Sequence, residues 1–208
     1  MIRFLFLSLV AFSLSWNASA SPETETLVRR VAAQMEKRTG EDLAQIVVNE
    51  INVSKMAGYV LGEYGRDLPT ADRVAFESRF EAFLVSVIAE RAWNLSDSNL
   101  SVIGSVDRRN RESIVTMRIK ERAEPSRIMR WRLMRTDNGW ETIDIQLGGM
   151  WLAIEQRAQV DIAMSYDGVE IEDLYDTSNG GQDALLSAST RNTGGGRRVV
   201  EFLDRVLP

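Results

Sequence analysis

The stretch that decides the fold reads Trp140-Glu-Thr-Ile-Asp-Ile-Gln-Leu-Gly148-Gly149-Met-Trp-Leu-Ala-Ile-Glu-Gln-Arg157. Ile143, Ile145 and Leu147 alternate with polar neighbours, which is the pattern of a strand with one buried face. The two glycines end that strand, and the apolar residues beyond them are spaced as on a helix. The stretch therefore predicts a strand that leads into a helix.

Three further strands precede this one. Alternating apolar and polar residues predict strands over residues 100–106, 113–122 and 127–135. The sequence Asp137-Asn-Gly139 then predicts a hairpin turn into the fourth strand. Consecutive strands joined by short turns are typical of an antiparallel meander with one buried face.

The N-terminal half of the chain has helical patterns. Helices are predicted over residues 25–38 and 42–50, and a third begins with Asn52 or Ser54 as its cap. The clearest helix follows Pro69, and its apolar face consists of Phe76, Phe80, Phe83, Leu84 and Val87. Helices followed by strands predict an α+β fold, with the N-terminal helices packed on one face of a curved, mainly antiparallel four-stranded sheet.

Both ends of the chain differ from the central part. Arg3, an apolar run of about 13 residues and Ala18-Ser-Ala20 predict a signal peptide over residues 1–20, cleaved after Ala20, because a membrane span needs about 20 apolar residues. Residues 21–175 are expected to form one domain. Residues 176–208 are rich in Ser, Thr, Asn and Gly and predict a flexible tail with a short amphipathic helix near its end.

Composition argues for binding rather than catalysis. The 208 residues include no histidine and no cysteine, and the formal net charge is −5. This excludes a Ser-His-Asp hydrolase, a thiolate nucleophile and the commonest transition-metal ligands. No enzyme activity, metal or cofactor is therefore expected.

Three blocks of sequence resemble the MlaC (toluene-tolerance) family of periplasmic phospholipid carriers. The residues of the first stretch that stand at matching positions are Trp140, Asp144, Gly149, Leu152 and Arg157. The second block, Lys55 to Tyr64, contains Val-Leu-Gly-x-Tyr, and the third, Val74 to Val87, contains a Phe-x-x-x-Phe pair before Leu-Val. The resemblance covers roughly residues 23–175.

Three substitutions depart from the family pattern. Trp151 replaces the serine expected after the glycine, so the helix is expected to lose its cap. Gln156 and Val160 stand where the family has aromatic residues. A divergent member is therefore expected, with a changed ligand site.

The resemblance implies a carrier that moves phospholipid between an outer-membrane lipoprotein complex and an inner-membrane ABC transporter complex. The implied location is the periplasm of a Gram-negative bacterium. The implied apolar cavity lies between the helices and the sheet. Its candidate lining consists of Met56, Val60, Tyr64, Phe76, Phe80, Phe83, Val87, Val115, Met117, Met129, Trp131, Ile143 and Ile145. The same pattern fits a closed core, since periodicity reports burial alone.

A basic face forms the second candidate site. Arg118, Lys120, Arg130 and Arg132 alternate with apolar residues, and Arg108, Arg109 and Arg111 stand in the adjoining turn. Either this face is simply solvated, or it docks to an acidic partner surface or to anionic headgroups.

Two other functions compete with the carrier. One is a small cone-shaped α+β enzyme that uses Asp144 as general base in an apolar pocket. Asp144 alternates out of phase with Ile143 and Ile145, however, which places its carboxylate on the opposite face of the strand. The other is an adaptor that binds only protein through the basic face.

Overall fold

The computed structural model describes residues 21–91, 98–108, 111–122 and 125–175. The expected signal peptide, the expected tail and Arg109 of the basic turn lie outside the described residues. Within the described ranges, no helix is both long enough and apolar enough to cross a membrane.

Five α-helices pack against the sheet or against one another, and the four predicted in the N-terminal half are confirmed. The helices are α1 (Pro22–Met35), α2 (Gly40–Asn49), α3 (Val53–Leu61), α4 (Thr70–Arg91) and α5 (Leu152–Ala163), followed by a short 3-10 helix (Ile171–Asp173). Helix α1 begins earlier than predicted because Pro22 is accepted in a first helical turn. It ends at Met35 before Lys37, which has a φ of 63°.

The sheet is antiparallel and has five strands in the order β1-β2-β3-β4-β5. The strands are β1 (Asn99–Arg108), β2 (Glu112–Lys120), β3 (Arg127–Thr136), β4 (Gly139–Leu147) and β5 (Met150–Trp151). The α+β architecture is confirmed, and the predicted four-strand sheet gains one short strand.

The additional strand arises at the glycine pair. Gly148 and Gly149 have φ values of 59° and 89°, as the two central residues of a tight hairpin turn require. Leu147 pairs with Met150, so the chain forms a hairpin before α5 begins at Leu152. The glycines therefore reverse the strand, whereas the sequence predicted a direct passage into the helix.

One face of the sheet and the inner faces of the helices form a single core. Helix α1 packs on β1 and β2, α3 packs on β4, and α2 packs against α4. Val115 pairs with Trp131, which in turn pairs with Ile145, and all three side chains are completely buried. Without cysteine, this apolar burial is the main source of stability.

The structure departs from the predicted alternation at Ile143. The register between β3 and β4 shifts at this point, since Asp144 pairs with Arg132 whereas Thr142 pairs with Leu133. Ile143 is the extra residue of this β-bulge. Its side chain is half-buried and outside the core cluster, and the buried side chain opposite Leu133 is Thr142.

The start of α3 is fixed to β4. Asn52 caps α3 as predicted, because its side-chain oxygen accepts the backbone N–H of Lys55 at 3.0 Å. The Asn52 backbone N–H donates to the Thr142 carbonyl at 2.8 Å. The Lys55 ammonium lies 2.6 Å from the Glu141 carboxylate, and hydrogen bonds from Lys55, Asn52 and Thr136 hold the pKa of Glu141 below its usual range.

The end of α3 meets α5 through two residues of the family-like blocks. Gly62 ends α3 with a φ of 53°, and a Cβ built at this position would overlap with Nη1 of Arg157. That guanidinium donates to the carbonyl of Tyr59 at 2.8 Å and lies over the Tyr59 ring. A glycine is therefore required for two reasons, its backbone conformation and the space taken by Arg157.

We expect Gly62→Ala to destabilise the fold by about 2 kcal/mol, because alanine is strained at this φ and its Cβ displaces Arg157. Gly58→Ala is the matched control, since Gly58 lies inside α3 and no atom approaches the site of its Cβ within 4 Å. That variant should gain about 0.5–1 kcal/mol from helix propensity. Urea unfolding of the two variants measures both changes, and equal stabilities would contradict the role of Gly62.

Candidate functional site

Most of the residues predicted to line a lipid cavity lie together in the layer between the helices and the sheet. Those that are buried in the core cluster are Met56, Val60, Phe76, Phe80, Phe83, Val115, Met117, Met129, Trp131 and Ile145. Tyr64 and Val87 are partly buried against the same cluster, whereas Ile143 is outside it. The predicted set is thus largely contiguous, and in this structure its members pack on one another.

An aromatic stack runs along α4 through this layer. The rings of Phe76 and Phe80 are nearly parallel with centroids 5.9 Å apart, and Phe83 continues the stack at 6.4 Å. Tyr175 contacts all three rings, with its centroid 4.6 Å from that of Phe83. Tyr175 was missed from the sequence because it stands beside the polar tail, outside any periodic segment.

The segment that carries Tyr175 is held on α4 by polar contacts. The guanidinium of Arg79 donates to the carbonyls of Leu174 and Ile171, at 3.1 and 3.2 Å. The Tyr175 hydroxyl donates to Oε1 of Gln156 at 3.2 Å, and burial raises the pKa of this tyrosine far above its usual value. Gln156, one of the departures from the family pattern, therefore accepts a hydrogen bond from a buried hydroxyl group.

Two polar atoms lie within the apolar layer. Nε1 of Trp131 and Oγ1 of Thr142 are buried, and neither has a hydrogen-bond partner among the residues that the structure describes. Both side chains are on the face of the sheet that packs against the helices. A buried polar group without a partner costs about 1–3 kcal/mol, so both atoms favour a ligand that brings hydrogen-bonding oxygens.

The residues of the predicted basic face occupy the opposite face of the sheet, where they form two pairs. Arg118 and Lys120 are exposed at one end of β2. Arg130 and Arg132 are half-buried in the middle of β3, and each donates a hydrogen bond to a neighbouring side chain. Arg130 donates to Gln146 at 2.5 Å, and Arg132 donates to Glu112 at 2.6 Å.

Asp144, the residue proposed for the competing enzyme, supports the start of α5. Its Oδ1 accepts the backbone N–H groups of Ala153 at 3.0 Å and of Ile145 at 2.9 Å. The Trp151 side chain makes no capping hydrogen bond, so Asp144 of β4 caps α5 in its place. Asp144 pairs with Arg132 on the face away from the apolar layer, as the strand pattern predicted.

The surroundings of Asp144 change its ionisation. Burial raises its pKa from 3.8 to about 6, and the two backbone N–H groups and the charge of Arg132 only partly oppose this rise. Because the pKa is higher in the folded protein than in the unfolded chain, the folded protein binds more protons between about pH 4 and pH 6. The contribution of Asp144 to stability therefore falls as the pH rises through this interval and is constant above it.

We expect Asp144→Asn to keep the cap and remove this pH dependence. The free energy of unfolding of the variant, minus that of the unmodified protein, should therefore be greater at pH 7.5 than at pH 4.5. Urea unfolding of both proteins at the two pH values measures this difference. Asp144→Ala loses the acceptor of two backbone N–H groups and should be about 1–2 kcal/mol less stable at pH 7.5. A constant difference between the unmodified protein and Asp144→Asn at the two pH values would contradict the assigned pKa.

Comparison with known proteins agrees with this architecture. A model of the MlaC protein family matches residues 24–176. The phospholipid-binding protein from Ralstonia solanacearum, solved in complex with a phospholipid, is similar with a TM-score of 0.57 at 17% identity. That match covers 90% of this chain and 96% of the other, and shows that the two share a fold. No curated protein matches the sequence. Since the family model spans every described helix and strand except the first residues of α1, the chain belongs to the MlaC family.

Proposed function

We propose that this protein binds phospholipid and carries it through the periplasm of a Gram-negative bacterium. In this proposal residues 1–20 are removed on export, with cleavage after Ala20. The protein takes lipid from one membrane complex and delivers it to another, an outer-membrane lipoprotein complex and an inner-membrane ABC transporter complex. It performs no covalent chemistry, and the phospholipid is cargo.

The observation that carries the proposal is the extent of the family match. Residues 24–176 include both walls of the apolar layer, the aromatic stack of α4 and the inner face of β2, β3 and β4. The Ralstonia solanacearum protein with the same fold was solved with a phospholipid bound. The layer between helices and sheet is therefore the part of this chain to which we assign the acyl chains.

The side chains in the layer suit such a ligand. Each acyl CH₂ moved from water into an apolar interior contributes about 0.8 kcal/mol, so two acyl chains need no specific polar contact. Met56, Met117 and Met129 stand on both walls. Methionine has three rotatable side-chain bonds and adapts to irregular shapes, which allows these walls to separate around a chain without loss of apolar contact.

Trp131 and Thr142 provide the polar part of the proposed site. The indole N–H donates hydrogen bonds, and the threonine hydroxyl both donates and accepts. Phospholipid ester and phosphodiester oxygens are acceptors and can pair with both donors. The two atoms without partners among the described residues would then be satisfied in the loaded protein.

Lipid binding is tested directly by purifying the protein from the periplasm and extracting it for mass spectrometry. We expect phospholipid in the extract, and we expect delipidated protein to acquire it again from phospholipid vesicles. Protein that carries no phospholipid after purification and takes none from vesicles would overturn the proposed function.

We expect Thr142→Val and Trp131→Phe to lower phospholipid retention several-fold, since each removes one polar partner of the ligand. Thr142→Val should leave the delipidated protein equally or more stable, because it removes a buried polar atom without a partner and keeps the size of the side chain. Trp131→Phe should leave it less stable, because the smaller ring leaves a cavity in the core. Lipid per protein after gel filtration and thermal unfolding of the delipidated protein measure the two effects. Unchanged retention in both variants would remove these residues from the site.

Docking through the basic face remains part of the proposal. Arg118 and Lys120 are exposed on this face and Arg130 and Arg132 are half-buried on it, and the four positive charges suit contact with an acidic partner surface. A protein-only adaptor would bind its partner through this face and carry no lipid. The extraction experiment therefore also distinguishes the adaptor from the carrier.

A further inference from the structure

A groove of about 580 Å³ lies on the face of the sheet opposite the apolar layer. Its lining residues on β2 and β3, including Ile114 and Arg132, alternate with the buried residues of the core. The start of α5 closes one side of the groove through Trp151 and Ile154. The volume lies in the usual range of small-molecule sites.

Part of the groove is apolar, although it lies on the solvent side of the sheet. Val106 pairs with Ile114 across β1 and β2, and Trp151 pairs with Gln146 across β4 and β5. Val106 is 50% exposed and Ile154 48% exposed. A solvated sheet face is expected to carry polar side chains, so this apolar surface requires an explanation.

The charged part of the groove is positive. Arg108, Arg130 and Arg132 line it together with a single carboxylate, that of Glu112. Arg132 donates to Glu112 through Nε, and Arg130 donates to Gln146 through Nη1. A guanidinium has five N–H donors, so both arginines keep donors for a further acceptor while their orientation is already fixed.

We propose that this groove binds a phosphate-bearing amphiphile with one apolar chain. The phosphate pairs with Arg130 and Arg132, whose guanidinium groups suit its oxygens in geometry and charge. The apolar chain lies against Trp151 and Ile154. Trp151 is the residue that replaces the expected serine, so the departure of this chain from the family pattern supplies a wall of the groove.

This site goes beyond the proposed carrier function, because the sheet separates it from the apolar layer. The groove and the layer have no lining residue in common among those named for the two sites. Loss of one site is therefore measurable while the other is kept.

The test is calorimetric titration of the full mature protein with decyl phosphate below its micelle concentration. Inorganic phosphate and decyl maltoside are titrated in parallel. We expect binding of decyl phosphate alone, and a loss of affinity of about tenfold or more in the double variant Arg130→Gln, Arg132→Gln, since each charge-assisted hydrogen bond is strong. Arg118→Gln, on the same face outside the groove, is the matched control and should bind as the unmodified protein does.

A second variant covers the case in which the double variant does not fold. Ile154→Glu changes an exposed position of α5 and places a negative charge at the groove, so it should also lose decyl phosphate binding. Equal binding of inorganic phosphate and decyl phosphate would overturn the proposal, as would equal loss in Arg118→Gln. Binding of an acidic protein partner to the groove without any binding of decyl phosphate would also overturn it.

Co-purified phospholipid, measured in the same variants, separates the two proposals. We expect the groove variants to retain it, because the apolar layer is unchanged. Phospholipid lost from the groove variants would assign both ligands to one site and overturn the inference. Phospholipid absent from every variant and from the unmodified protein would instead contradict the carrier function.

Discussion

The positions of the helices depend on strand β4, because other elements cover both faces of this strand. On the inner face, Ile145 packs in the core opposite Trp131. On the other face, Asp144 is buried under the first turn of α5, where it accepts two backbone N–H groups. The carbonyl of Thr142 accepts a backbone N–H from the start of α3. One strand thus fixes the positions of two helices that are about 90 residues apart in the chain.

Several of the residues that make this chain resemble its family connect secondary-structure elements to one another. Asp144 caps α5, the glycine pair turns the chain into the β5 hairpin, and Arg157 fills the space that Gly62 leaves at the end of α3. None of these three contacts is in the apolar layer. These motifs therefore define the scaffold, whereas the Phe-x-x-x-Phe motif of the third block lies in the apolar layer as part of the α4 stack.

Much of the fold follows from periodicity, because burial on one face imposes a repeat on helices and strands. This accounts for α4, for the four long strands and for the separation of Asp144 from Ile145. Periodicity gives a wrong prediction where the backbone breaks the alternation of buried and exposed residues. Ile143 lies outside the core because it is the extra residue of a bulge, and β5 is too short to show a repeat. Tyr175 reaches the aromatic stack through tertiary contacts that no local pattern records. The outer groove depends on which residues are neighbours across strands, which the sequence alone does not define.

We propose that phospholipid occupies the layer between the helices and the sheet. The most direct measurement is a crystal structure of protein that mass spectrometry has shown to be loaded with phospholipid. We expect acyl-chain density between the α4 stack at Phe80 and the inner face of the sheet at Met117, with lipid oxygens near Trp131 and Thr142. A lipid-loaded protein whose apolar layer is closed, with the acyl chains on the outer face of the sheet, would contradict it.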